Sequence, residues 1–350
     1  MGLCMSLPST TQDHQMIKGE YNRNNLLLIE DNNSPRSSKL SSTGVFSLYS
    51  QEGTKELNQD SALFYQGFGR DGGELFGVFD GHGEYGHKVS NLVINRLPKL
   101  LLDQERYRLC ENDVNTYMPN EWRRDCVSAF KIMDKEIKLQ RDFDSSCSGS
   151  TAVTILKQDQ DIIVANLGDS RAVMGTLSDE ELKAVQLTID HKPELPKEAD
   201  RIRKCGGRVL PHKDEPDVHR VYSAEDDYMS LAMARAFGDF HLKNYGVIAI
   251  PQITHIHLTK EDQFLVLATD GVWDVLTNEE VASIVWSIEN KELAAKAVVK
   301  AASAAWRHDH PSSKVDDITV VCLFLQDRKQ RTDFLTKENL STAPAIEEET

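Results

Sequence analysis

The chain lacks the features that mark several protein classes. Its six cysteines, Cys4, Cys110, Cys126, Cys147, Cys205 and Cys322, are scattered and form no Cys-x-x-Cys pair. Zinc-finger spacing is therefore absent. No apolar segment of signal-peptide type precedes them, so a reducing intracellular setting is expected. No run approaches the roughly 18 apolar residues of a membrane-spanning helix. Positive charge is also in short supply: Lys and Arg number 40 against 55 Asp and Glu, a net charge of -15. That balance argues against a nucleic-acid partner. A Gly-x-x-x-x-Gly-Lys-Ser/Thr loop is missing, which weighs against a nucleotide hydrolase.

What is present is ordinary for a globular protein, with 40% hydrophobic and 27% charged residues. Residues 1–42 are rich in Asn, Ser and charge and are expected to be a disordered leader. Its first residues, Met1-Gly-Leu-Cys-Met-Ser6, fit the N-myristoylation pattern at Gly2, with Cys4 placed for palmitoylation. Two chains would anchor the protein stably where one would not. The expectation is a plasma-membrane location if Gly2 and Cys4 are acylated, and cytoplasm or nucleus otherwise. The folded body is expected over 43–326, and the acidic tail 327–350 to be disordered.

Within the body, Val45–Tyr49, Ala62–Phe64 and Leu75–Phe79 read as strands. His87–Leu102 and Trp122–Leu139 carry apolar residues at helical spacing. Thr151–Leu156, Ile162–Asn166 and Arg171–Met174 look like an antiparallel meander. Pro193–Cys205 reads as a short helix stopped by Gly206-Gly207, and Pro211–Tyr228 as a mobile surface flap. Val281–Ile288 and Leu293–Trp306 read as helices, and Ile318–Leu325 as a last, buried strand. Runs of strands broken by helix pairs predict an α+β domain of two packed antiparallel sheets with helices outside, in α-β-β-α layers.

Two strands end alike. Leu75–Phe79 runs into Asp80-Gly-His-Gly83, and Phe264–Ala268 into Thr269-Asp-Gly271. Glycines on both sides of His82 allow a tight turn and close approach to a ligand. Asp60 and Asp316 also stand at strand ends or turns. Any one Asp is more simply a turn cap. Four together, with little nitrogen or sulfur nearby, favour a hard divalent ion such as Mg²⁺ or Mn²⁺, since clustered carboxylates without a cation repel one another.

Seven segments occur in an order that resembles the metal-dependent serine/threonine protein phosphatases of the 2C type, in their plant branch. They are Gly53–Asp60, Val78–Gly83, Ser148–Ala152, Asn166–Ala172, Leu231–Asp239, Ala268–Asp274 and Val315–Val320. The resemblance covers about residues 43–326. It implies a β-sandwich flanked by helices with two divalent ions at one end, bridged by Asp80. The Gly81 carbonyl would sit on one ion, Asp270 and Asp316 on the other, and Asp60 would act mainly through water. A water activated by the two ions would attack phosphorus in line, consistent with the absence of a catalytic-cysteine signature. Lys55, where animal members carry arginine, would hold the phosphate as a point charge. His82 would be the general acid. Asp169 and Asp274 match positions that hold a weaker third ion in some relatives.

The family often has Glu where Gln59 stands, and Val221–Ser230 departs from the usual flap wording. The Arg208–His219 loop lacks the Trp on which hormone-receptor partners dock in another plant subgroup, so no such partner is expected. The expected partners are phosphoprotein substrates and kinases, with no nucleic acid, and the protein is expected to be a monomer. The alternative is a catalytically silent scaffold of the same fold that binds phosphoproteins or kinases. Loss of a metal Asp would favour it, and all four are present.

Overall fold

The computed structural model describes residues 20–22, 26–30, 45–55, 57–69, 72–111, 119–213 and 215–326. Two sheets form its centre. One has seven strands in the spatial order Glu20–Asn22, Leu26–Glu30, Ser61–Phe68, Gly73–Phe79, Ala152–Gln158, Asp161–Leu167 and Gln252–His257. The other has five, ordered Glu181–Gln186, Arg171–Ser178, Asp262–Ala268, Ile318–Phe324 and Phe46–Gln51. Neighbours pair antiparallel except Leu26–Glu30, which runs parallel to Ser61–Phe68.

The layering follows from the period of two along a strand. Gly73–Phe79 is buried along its whole length, because its two faces serve different cores. Phe76 and Val78 point between the sheets and join Phe64, Val153, Leu265, Leu267, Val321 and Leu323. Leu75 and Phe79 point outward and meet Val93, Ile94, Leu97, Phe130 and Met133 from the helices Gly86–Glu111 and Pro119–Lys138. On the far side, Val266, Val320 and Cys322 pack against Val281, Val285, Val298 and Val299 of Asn278–Ser287 and Ala294–Asp309. The result is the expected α-β-β-α arrangement.

Three local expectations need correction. Leu26–Glu30 lies in the segment read as a disordered leader, yet it is a sheet strand with Leu26, Leu27 and Ile29 buried. Its apolar run had enough to bury. Glu20–Asn22, in the same segment, pairs antiparallel with it as a further strand. The remainder of the leader, with Gly2 and Cys4, and the tail from 327 lie outside the described residues. Arg171–Ser178 does not complete a meander; it crosses to the five-stranded sheet and pairs with Asp262–Ala268. Both its faces are apolar, Val173 in one core and Ala172 and Met174 in the other, so alternation could not assign its sheet. The segment read as a flap, Pro211–Tyr228, is largely part of a hairpin in which Arg208–Pro211 pairs with His219–Tyr222, which in turn pairs with Ser230–Leu231 just beyond it. Val221 anchors it in a small core with Ile202, Leu231 and Met233.

Candidate metal centre

Antiparallel pairing puts the acidic strand ends on one edge. Ser61 is opposite Phe79, so Asp60, which precedes the first strand, lies beside Asp80, which follows the second. In the other sheet Ala268 is opposite Val320, and Asp270 and Asp316 stand just beyond that pair. A buried bond joins the two edges: Thr269 Oγ1 donates to Asp60 Oδ2 at 2.8 Å, while Thr269 Oγ1 accepts from the Thr319 amide at 3.1 Å. The structure thus brings Asp60, Asp80, Asp270 and Asp316 to one end of the sandwich.

Their charges interact strongly. Burial, then repulsion from Asp270, Asp60, Asp316 and Asp169, holds the Asp80 carboxyl well above its usual pKa. Burial, then Asp274, Asp316 and Asp169, does the same to Asp270, with Lys192 opposing. Burial and Asp317 push Asp60 up to about 8 against the hydrogen bonds from Thr319 and Thr269. Asp274 is raised to about 6, by burial first, with Lys192 opposing.

Two lysines meet this negative charge. Lys55 forms an ion pair with Asp316. Burial opposes its charge, but Asp316, Asp80 and Asp270 outweigh it and its pKa is raised. Lys192 Nζ donates to Asp169 Oδ2 at 2.6 Å. Burial opposes this charge too, but Asp169 and Asp270 outweigh it and the pKa is again raised. Asp169 is almost wholly buried, and its Oδ1 has no hydrogen-bond partner among the described residues. No three His, Cys, Asp or Glu among the described residues surround one point closely enough to hold an ion.

The donor set nevertheless suits a hard divalent cation. It is built of carboxylate oxygens and a glycine carbonyl, and burial together with mutual repulsion raises the carboxyl pKa values. Gly81 is fitted closely: a Cβ there would stand 2.4 Å from the Gly86 carbonyl oxygen and 2.6 Å from that of Gln59.

The frame around the carboxylates includes residues to which the sequence assigned no role. Thr151 clasps Asp80 in both directions: its Oγ1 accepts from the Asp80 amide at 3.0 Å, and its own amide donates to the Asp80 carbonyl at 2.9 Å. Asp317 accepts from the amides of Gly53 and Gln59 at 2.9 and 2.8 Å, tying down the loop that carries Lys55. Gln59 Nε2 donates to the Gly83 carbonyl at 2.7 Å. His82 Nε2 donates to Asp239 Oδ2 at 2.7 Å. Burial lowers the imidazole's pKa, but the Asp239 charge and hydrogen bond outweigh it, and the pKa is raised. The doublet Asp316-Asp317 and the Gly238-Asp239 end were visible in the sequence, but nothing local named their partners.

The family model described as "Protein phosphatase 2C" matches residues 45–310. The chain belongs to the protein phosphatase 2C family. Among its relatives, "Probable protein phosphatase 2C 72" of Arabidopsis thaliana is 48% identical and the match covers 94% of this chain and 99% of that protein. "Probable protein phosphatase 2C 64" of Oryza sativa subsp. japonica is 47% identical, covering 84% of this chain and 69% of its own length. The crystal structure of serine-threonine phosphatase 2C from Toxoplasma gondii superposes with a TM-score of 0.72 at 26% identity, over 80% of this chain and 94% of that one. A C. elegans sex determining protein shares the fold, with a TM-score of 0.67 at 23% identity, covering 83% of this chain and 67% of its own. As a 2C phosphatase the chain is a hydrolase of a metal-dependent family, a protein serine/threonine phosphatase acting on phosphoprotein substrates.

Proposed function

We propose that the carboxylate end of the sandwich holds two divalent cations, Mg²⁺ or Mn²⁺, and uses them to hydrolyse phosphoserine and phosphothreonine. The observation that carries this reading is the convergence of Asp60, Asp80, Asp270 and Asp316 from two sheets onto one edge, with pKa values of Asp60, Asp80 and Asp270 driven up by burial and mutual repulsion. Asp80, the Gly81 carbonyl, Asp270 and Asp316 are the ligands, and Asp60 acts through solvent. Such a pair of ions, when bound, acidifies water to make the nucleophile and neutralises the phosphate.

The chain's own side chains do the rest. Lys55 exchanges Asp316 for the incoming phosphate and orients it as a point charge. His82, one residue beyond Gly81, gives a proton to the serine or threonine oxygen as the P–O bond breaks. Asp169 and Asp274 form a weaker third cation position, held by Lys192 when no ion is there.

The test is hydrolysis of phosphoserine and phosphothreonine peptides by the purified chain. Activity should require Mg²⁺ or Mn²⁺ and stop with chelator, and Asp80→Asn should abolish most of it in a folded protein. Full turnover after chelation would refute the reading.

The N-terminal pattern supports a second, separate proposal: acylation at Gly2 and Cys4 places the enzyme, as a monomer, on the plasma membrane. Gly2→Ala should move it from the membrane fraction to the cytosol; an unchanged distribution would refute the anchor.

A further inference from the structure

Beside the carboxylates lies a three-stranded sheet of only two residues per strand: Phe237–Gly238, Gly149–Ser150 and Gly81–His82, in that spatial order. The register sets Gly238 opposite Gly149 and Gly149 opposite His82. The central residue of that row has no side chain. Across it, His82 Nε2 and Asp239 Oδ2 meet at 2.7 Å. A Cβ on Gly149 would stand 2.2 Å from Asp239 Oδ2 and 2.6 Å from His82 Nε2, so glycine is what allows the two side chains to join.

Asp239 is held for this contact. It is 4% exposed and adopts the left-handed backbone conformation at φ 51, ψ 45. Its amide donates to the Ser148 carbonyl at 3.1 Å. The preceding amide, of Gly238, donates to Asp134 Oδ1 at 2.9 Å, and Lys243 Nζ donates to the same oxygen at 3.1 Å. A non-glycine residue in the left-handed region is uncommon, and such outliers cluster where a side chain must be aimed. The second imidazole nitrogen, His82 Nδ1, is buried and has no hydrogen-bond partner among the described residues, so it meets a departing oxygen only once the side chains covering it move aside.

We propose that Asp239 is a positioning residue: by accepting the hydrogen bond from His82 Nε2–H it fixes the ring and its tautomer and leaves Nδ1 as the nitrogen that protonates the departing oxygen. In the step, the nucleophilic oxygen bonds to phosphorus, the P–O bond to the serine or threonine side chain breaks, and the Nδ1 proton moves to that oxygen to give the alcohol. His82 is left neutral, with Nε2–H still on Asp239. For histidines that bind a metal, losing the outer carboxylate that orients the ring costs about 10- to 100-fold, and the same order is expected for His82. The inference rests on the reading of His82 as the acid, and the experiment separates the two.

The metal-loaded enzyme and its Asp239→Asn and His82→Gln variants are assayed on a phosphoserine peptide and on p-nitrophenyl phosphate, whose leaving group departs as an anion and needs no proton. Asn keeps the shape of Asp and tolerates the left-handed backbone. Asp239→Asn should lower kcat on the peptide by about 10- to 100-fold and on the aryl phosphate by less than about threefold, with KM for both unchanged. A loss shared equally by both substrates overturns the positioning role. If His82→Gln is selective for the peptide and Asp239→Asn is not, His82 stands as the acid and Asp239 falls. If His82→Gln is not selective, the acid reading and the inference fall together. Nitrogen NMR of the wild-type imidazole is a readout that needs no variant: neutral His82 should carry its proton on Nε2, and a proton on Nδ1 would contradict the proposal.

Discussion

Asp80-Gly81 and Asp270-Gly271 begin as the same device and end as different ones. Each is an Asp-Gly pushed out of a buried strand, and each glycine is pressed against backbone. A Cβ on Gly271 would lie 2.1 Å from the Asp317 carbonyl oxygen, as one on Gly81 would crowd those of Gly86 and Gln59. After Gly81 the chain stays extended and pairs with Gly149–Ser150, which delivers a backbone carbonyl and then His82. After Asp270 it turns at once into a helical turn, Asp270–Trp273. That turn sets Asp274 four residues on, where it shares a face with Asp270. The first arm brings an imidazole and the second brings more negative charge. Accordingly Lys192 serves the second arm, where Asp169, Asp270 and Asp274 all act on it. The dipeptide ends each strand in a carboxylate, and the backbone path of the next few residues decides that carboxylate's company.

The sharpest way to break the symmetry between the arms is to remove one carboxylate at a time. Asp80→Asn and Asp270→Asn should each cost more activity than the roughly 100-fold typical of an outer-sphere residue, measured on a phosphoserine peptide. Each should also raise the melting temperature of the metal-free protein, because a half-buried, repelled carboxylate is gone. A fall in that temperature would show that the carboxylates do not strain one another.

Lys192→Met tests the second arm's private cation. It leaves Asp169 buried and unpaired, and breaking such a pair costs about 3 kcal/mol. Denaturation without metal should show that loss. Added Mn²⁺ should recover more stability in the variant than in the wild type. Equal recovery would separate Lys192 from the cation position. Gly81→Ala and Gly271→Ala should then each destabilise by about 1–3 kcal/mol through backbone displacement, read by urea unfolding, and a neutral result at either would mean that the edge yields.

pH dependence offers the smallest but most diagnostic effect. The folded-state pKa of Asp60 is raised to about 8, so the unfolded chain releases that proton first. Stability of the metal-free protein is then greatest at low pH and declines as pH rises toward 8. Buried His191, pushed down to about 4 mainly by burial, acts with opposite sign: its contribution is present above its unfolded pKa of about 6.5 and is lost as pH falls toward 4. Above about pH 6.5 Asp60 and His82, whose pKa is also raised, act in the same direction, and the melting temperature should decline toward pH 8. Asp60→Asn should flatten that slope, and an unaltered slope would place the proton elsewhere.

The strand ends were legible because they are local. A continuous apolar run closed by Asp-Gly carries its own meaning, and the order of such segments along the chain pointed to the sandwich and its family. Long-range pairing was not legible. Arg171–Ser178 is apolar on both faces, and only its register with Asp262–Ala268 shows which sheet takes it. His82 was visible between its glycines, but its partner Asp239 lies 157 residues away and reaches it across a glycine whose purpose appears only when three short strands are laid side by side. Lys192 and Asp317 were likewise silent, since a lone Lys and the second Asp of a doublet read as solvated charge until folding sets them against Asp169 and the Lys55 loop.

The most direct test of a shared two-ion centre is Mn²⁺ titration of the metal-free protein followed by electron paramagnetic resonance, with phosphoserine hydrolysis measured at each point. Two spin-coupled ions per chain should bind, activity should rise with the coupled signal, and Asp80→Asn should lose both. Isolated, uncoupled Mn²⁺ accompanied by full activity would contradict the account.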